Sequence, residues 1–166
     1  MKKLFQLVLT FFTSLTIMSQ TASDTKLVVS IVVDQMRADY LTRYSHLYEG
    51  GFKTLLEDGE VFWNAHYTHV PTYTAPGHAS IYTGTDPRFH GIIGNNWYVP
   101  SIGKTTYCLE DLDVSPIGTS SKYAKRSPKN IHSTTWTDEL EWASNKKSKI
   151  FAFSLKDRGA ICAAGH

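Results

Sequence analysis

Lys26-Leu27-Val28-Val29-Ser30-Ile31-Val32-Val33, followed by Asp34, is the stretch that decides the fold. Lys26–Val33 is a nearly unbroken apolar, β-branched run. A strand with one wet face alternates, whereas an unbroken run reads as a strand buried on both faces, as in a parallel sheet covered by helices. The predicted class is therefore α/β, with a mostly parallel central sheet and helices on both faces. Asp34 then stands at the carboxyl end of that strand, the edge where open α/β sheets bind ligands. It reads either as a metal ligand or anchor, or as an N-cap or turn residue.

A second run of this kind, Ser148–Ser154, holds Lys149-Ile150-Phe151-Ala152-Phe153. Leu155-Lys156-Asp157-Arg158-Gly159 follows at its carboxyl end. Lys156 and Arg158 are either solvated charges or, at the same sheet edge as Asp34, a pair suited to phosphate oxygens. Beyond Gly159 the sequence gives no helix terminus or closing element.

Between the two runs, Tyr40, Leu41, Tyr44 and Leu47 share one helical face. Gly50-Gly51 breaks that helix. Phe52, Leu55 and Leu56 suit a short second one, ended by Asp58-Gly59, and Val61–Tyr67 is rich in strand formers. Val70-Pro71-Thr72-Tyr73-Thr74-Ala75-Pro76-Gly77-His78 is too polar and too interrupted for a core segment. It reads as a loop leading into a helix over His78–Gly84, with Pro76 suited to a first turn. Thr74 is thereby placed just before a helix N-terminus, where amide groups and the helix dipole favour an anion such as phosphate. Its hydroxyl is a candidate nucleophile. The plainer alternative is that Thr72 or Thr74 caps the helix.

Thr85-Asp86-Pro87 marks a turn. In the Gly-punctuated stretch His90–Tyr98, Asn95 is either a neutral donor to an anion or a turn residue in the left-handed region. Ser101–Asn130 is polar and without period, and is predicted as loop. Thr134–Ala143 reads as a helix capped by Ser133 or Thr134, with Trp136, Leu140 and Trp142 apolar.

The composition is that of a globular chain: 42% hydrophobic and 19% charged over 166 residues. A net charge of +2, from 17 Lys+Arg against 15 Asp+Glu, argues against a nucleic-acid polymer as partner. Residues 1–22 read as a secretory signal peptide, with Lys2 and Lys3 ahead of an apolar Leu4–Met18 and small polar residues after it. Cleavage would leave 23–166 exported, periplasmic or secreted, with no stable membrane span. The two cysteines, Cys108 and Cys162, are permitted a disulfide by export, and the sequence leaves the pairing open. It carries no signal for a particular oligomeric state.

Four blocks in order resemble the alkaline phosphatase superfamily: Val32–Arg37, Thr72–His78, His90–Tyr98 and Lys156–Gly159. The second and third are similar to its branch of nucleotide pyrophosphatase/phosphodiesterases and Thr-nucleophile alkaline phosphatases. Lys156-Asp157-Arg158 resembles the Lys-x-Arg element of the Thr-nucleophile enzymes. The resemblance implies an alkaline phosphatase-like fold and a zinc-dependent phosphate monoester hydrolase acting through a phosphothreonine intermediate. It implies Thr74 as nucleophile, Asp34 and Thr74 as ligands of one zinc, a second zinc roughly 4 Å away, and Asn95, Lys156 and Arg158 as ligands of the phosphate oxygens. Small phosphate monoesters are the implied substrates. The alternatives are a phosphodiesterase or nucleotide pyrophosphatase, and a non-catalytic secreted anion-binding fragment.

The family's remaining zinc ligands are Asp and His residues further along longer chains, and this sequence matches none of them. His66, His78, His90 and His132 lack metal-ligand spacing and are expected to be structural, and His166 is no ligand in the family. The chain is thus expected to be an amino-terminal fragment with an incomplete sheet, inactive alone.

Overall fold

The computed structural model describes residues 25–166. The expected signal peptide, 1–22, lies outside them. The chain divides after Val32. Residues 25–32 are a short segment assigned neither helix nor strand, with Leu27, Val28, Val29 and Ile31 exposed.

The unit from Val33 onward carries the regular elements. These are α1 (Tyr40–Arg43), α2 (Gly51–Asp58), α3 (Thr74–Thr83), α4 (Pro87–His90), β1 (Asn96–Val99), β2 (Lys104–Tyr107), α5 (Trp136–Ala143) and α6 (Asp157–Ala164). Among the described residues the one sheet is the antiparallel hairpin β1–β2, registered Asn96 to Tyr107 and Val99 to Lys104.

Neither apolar run forms a ladder: Lys26–Val33 and Ser148–Ser154 carry no strand, and Phe151 and Phe153 are exposed. A buried parallel strand needs a bonded neighbour on each side, and the described residues supply none to either run. That is how an incomplete α/β sheet presents its strands. Val61–Tyr67 likewise forms no strand.

α3 is the central element. It starts at Thr74, four residues before the expected start at His78, with Pro76 in its first turn and Gly84 closing it at φ 66°. Tyr73 occupies the N-cap and makes no side-chain cap bond, so neither Thr72 nor Thr74 caps this helix. α3 packs chiefly on α6 and also against α4 and α5. Ala75 and Ala79 on α3, Ile92, Cys108, Leu109, Ile131 and Cys162 form the core. Small side chains at the α3–α6 contact let the two backbones approach closely. An added Cβ on Gly159 would lie 2.5 Å from Ser154 Oγ.

Tyr40–Leu47 makes only one α-turn followed by a 3₁₀ turn over Ser45–Leu47, with nothing buried. The actual cap of α5 is Thr135, one residue later than expected, in a capping box with Asp138. Trp136 on α5 stacks on Tyr82 of α3 at 6.1 Å, while Trp142 is exposed. β2 and α6 lie where the sequence predicted loop and an abrupt end.

Candidate active site

The first turn of α3 brings the site together. Thr74, its first residue, is half-buried and donates from Oγ1 to Asp34 Oδ2 at 3.1 Å. Lys156 Nζ donates to the same oxygen at 2.8 Å. The Lys156 ammonium, with the Thr74 hydroxyl adding to it against the opposing effect of burial, holds the Asp34 carboxyl below its usual range. The residues that follow the two apolar runs thus meet at one point, although neither run is paired into a sheet among the described residues.

Next to Thr74, the Ala75 amide donates to Asn95 Oδ1 at 2.9 Å. With Oδ1 committed to that amide, the Nδ2 donors are the part of Asn95 left for a ligand. Across the first turn, His78 Nδ1 lies 2.8 Å from the Thr74 carbonyl. A carbonyl only accepts, so Nδ1 carries the hydrogen and His78 ties down the turn that presents Thr74.

Arg158 stands two residues after Lys156, in the first turn of α6, with its side chain on Tyr107. Its Nη1 donates to the Tyr107 hydroxyl at 3.1 Å. Tyr107, Asp157 and Arg126 around it have no candidate role in the sequence reading. Tyr107 lay in the stretch predicted as loop, and Asp157 counted only as the middle of Lys-x-Arg. The one signal that could have singled out Asp157 is an acid just ahead of the Ala-containing stretch Ala160 to Ala164.

Asp34 and Thr74 present two oxygens to one point, which suits part of a cation site. Catalytic zinc takes three or more protein ligands, and among the described residues no three His, Cys, Asp or Glu side chains cluster to hold a metal. Two residues alone do not complete a zinc site, and Lys156 Nζ already lies on the shared Asp34 oxygen.

Two further histidines, His90 and His166, are hydrogen-bonded to protein groups. His90 is fully buried between the Ile92 amide and Ser80 Oγ. His166 Nδ1 lies 2.9 Å from Asp138 Oδ2, and its backbone amide donates to Asp138 Oδ1 at 2.7 Å. Cys108 and Cys162 are free and fully buried, and burial pushes their thiols up to about 11 and about 12. Among the described residues no helix is long and apolar enough to cross a membrane.

Residues 28–159 match the family model described as type I phosphodiesterase / nucleotide pyrophosphatase. The chain is 51% identical over 148 residues to alkaline phosphatase PhoV of Synechococcus elongatus, covering 89% of this chain and 27% of that one. It is 53% identical over 143 residues to alkaline phosphatase PafA of Elizabethkingia meningoseptica, covering 85% and 26%. A crystal structure of a PafA variant, with one threonine changed to serine and an asparagine, a lysine and an arginine changed to alanine, superposes with a TM-score of 0.79 at 49% identity. That match covers 81% of this chain and 26% of the other. The chain thus spans about a quarter of the length of the relatives it matches. It has their alkaline phosphatase-like α/β fold in part, and it belongs to the type I phosphodiesterase / nucleotide pyrophosphatase family.

Proposed function

We propose that this chain builds the nucleophile and phosphate-anchoring side of an exported, zinc-dependent phosphomonoesterase that works through a phosphothreonine at Thr74. The observation that carries the reading is the meeting of Thr74 Oγ1 and Lys156 Nζ on Asp34 Oδ2 at a helix N-terminus. The asparagine, lysine and arginine replaced in the PafA variant follow its altered threonine in the same order as Asn95, Lys156 and Arg158 follow Thr74. The Thr-to-Asn and Lys-to-Arg spacings are also the same, which supports assigning those roles here.

Each side chain has a task in this account. Asp34 orients the Thr74 hydroxyl by accepting its hydrogen bond. The start of α3 favours the negative charge that arrives at the phosphoryl group. Lys156 spends one of its three donors on Asp34 and keeps the others for phosphate oxygens. Asn95 Nδ2 and the Arg158 guanidinium address further oxygens. Asp34 and Thr74 would hold zinc together with ligands from outside the described residues. Bound there, zinc supplies Lewis-acid charge that makes a hydroxyl a better nucleophile near neutral pH. Export rests on the signal-peptide reading of 1–22.

Two cationic side chains aimed at the non-bridging oxygens suit a dianionic monoester better than a monoanionic diester. The family's own description keeps the diester reading as the competitor. The test is hydrolysis of an aryl phosphate monoester and its diester by the full-length, metal-loaded protein and its Lys156→Ala variant. The monoester rate is expected to fall about a hundredfold, the scale of losing one preorganised donor, with a smaller loss on the diester. Equal losses on both would favour the diesterase.

A further inference from the structure

The Arg158 guanidinium rests on a relay of side chains outside the phosphate-binding set. Its Nη1 donates to the Tyr107 hydroxyl at 3.1 Å, and that hydroxyl donates to Asp157 Oδ1 at 2.5 Å. A phenol has one hydrogen to give, so once Asp157 takes it the oxygen lone pairs face Arg158. Asp157 is itself pinned. Arg126 Nε donates to its Oδ2 at 3.2 Å, and the Arg158 amide donates to its Oδ1 at 2.8 Å. Arg126 also lies over the Tyr107 ring, 4.6 Å from its centroid, and donates from Nη1 to the Lys125 carbonyl at 2.9 Å. Tyr107 ends β2, and the hairpin fixes it beside Asn95, whose carbonyl accepts from the Cys108 amide at 3.0 Å. One hairpin therefore sets both Asn95 and the seat of Arg158.

We infer that Tyr107, locked by Asp157 and covered by Arg126, is a positioning residue that aims the Arg158 guanidinium at the phosphate. This deepens the phosphomonoesterase reading and rests on it. Arg158 Nε is buried without a hydrogen-bond partner among the described residues. The Nη1 bond to Tyr107 is thus the side-chain hydrogen bond that sets the plane of the fork. Burial, with the Asp157 hydrogen bond adding to it, raises the Tyr107 phenol above its usual range, so it remains a neutral relay at working pH.

The test uses the full-length, metal-loaded protein and the variants Tyr107→Phe, Arg158→Ala and the double variant. The readouts are kcat and KM on an aryl phosphate monoester, inhibition by inorganic phosphate, and melting temperature. Phe keeps the ring under Arg126 and removes only the hydroxyl. Tyr107→Phe is expected to lower kcat/KM and weaken phosphate inhibition about tenfold, the scale of one hydrogen bond to a charged group. In the Arg158→Ala background it is expected to add nothing. Arg126→Met, which releases Asp157 but keeps apolar cover, gives a second probe should Tyr107→Phe fold poorly. It is expected to act in the same direction and again only when Arg158 is present. Equal losses with and without Arg158 would overturn the inference and leave the phosphomonoesterase reading standing. Wild-type turnover in Arg158→Ala would instead remove the phosphate role of Arg158, and both claims with it.

Discussion

His90 shows how a single side chain's protonation follows from its partners. The Ile92 amide donates to His90 Nδ1 at 3.1 Å, and Ser80 Oγ lies 3.0 Å from Nε2. An amide can only donate, so Nδ1 is bare and the hydrogen sits on Nε2. A second proton would set N–H against N–H inside a fully buried site. Burial, reinforced by the nearby His69, accordingly lowers the His90 pKa to about 4. The folded value lies below the unfolded one, so the unfolded chain binds the proton first. His90 therefore leaves stability intact above about pH 6.5 and erodes it as pH falls towards about 4. An NMR titration of the imidazole is expected to show no protonation at pH 5.5, and a midpoint near the free value would contradict this packing.

The approach of α6 to α3 places Lys156 at the N-cap of α6 and Arg158 in its first turn. Gly159 makes that approach possible. A Cβ there would lie 2.5 Å from Ser154 Oγ and 3.1 Å from Ser154 Cβ. Ser154 Oγ accepts from the Lys156 amide at 3.2 Å, so rotating it away would cost that bond. Gly159→Ala is expected to destabilise the protein by about 1–3 kcal/mol, as overpacking does, and Ser154→Gly in the same chain should recover part of the loss. Denaturant unfolding checks both, and an unchanged midpoint in Gly159→Ala would contradict the tight contact. This element was not legible in the sequence, because Asp157-Arg158-Gly159-Ala160 has no apolar stripe and α6 is held by tertiary contact with α3. β2 was missed for a similar reason: Lys104-Thr105-Thr106-Tyr107 pairs through its backbone and shows no alternation. The meeting of Asp34 and Lys156 matches the expectation that both follow apolar runs at one edge, although neither run is paired into a sheet among the described residues. The Tyr107 relay was not legible, because it depends on a hairpin register that the sequence left open.

At the scale of the molecule, the two runs that set the expected α/β class leave much of their apolar surface exposed. Phe151 is 75% exposed and Phe153 89%, with Leu155 fully exposed beside them. The chain covers about a quarter of its relatives' length, and an unpaired apolar run of strand-forming residues is a template for association. Residues 25–166 produced alone are expected to bind a hydrophobic dye and to self-associate in sedimentation. Replacing Phe151 and Phe153 by lysine should reduce both. A dye-silent, monodisperse monomer would contradict the exposure of this run.

The central claim is that Thr74 receives the phosphoryl group. The direct measurement is acid quenching of the full-length, metal-loaded protein during turnover of a phosphate monoester, followed by peptide mass spectrometry. A phosphorylated Thr74 is expected, absent from Thr74→Ala, together with loss of turnover in that variant. Continued turnover in Thr74→Ala, with no phosphate on the Val70–His78 peptide of the wild type, would contradict it.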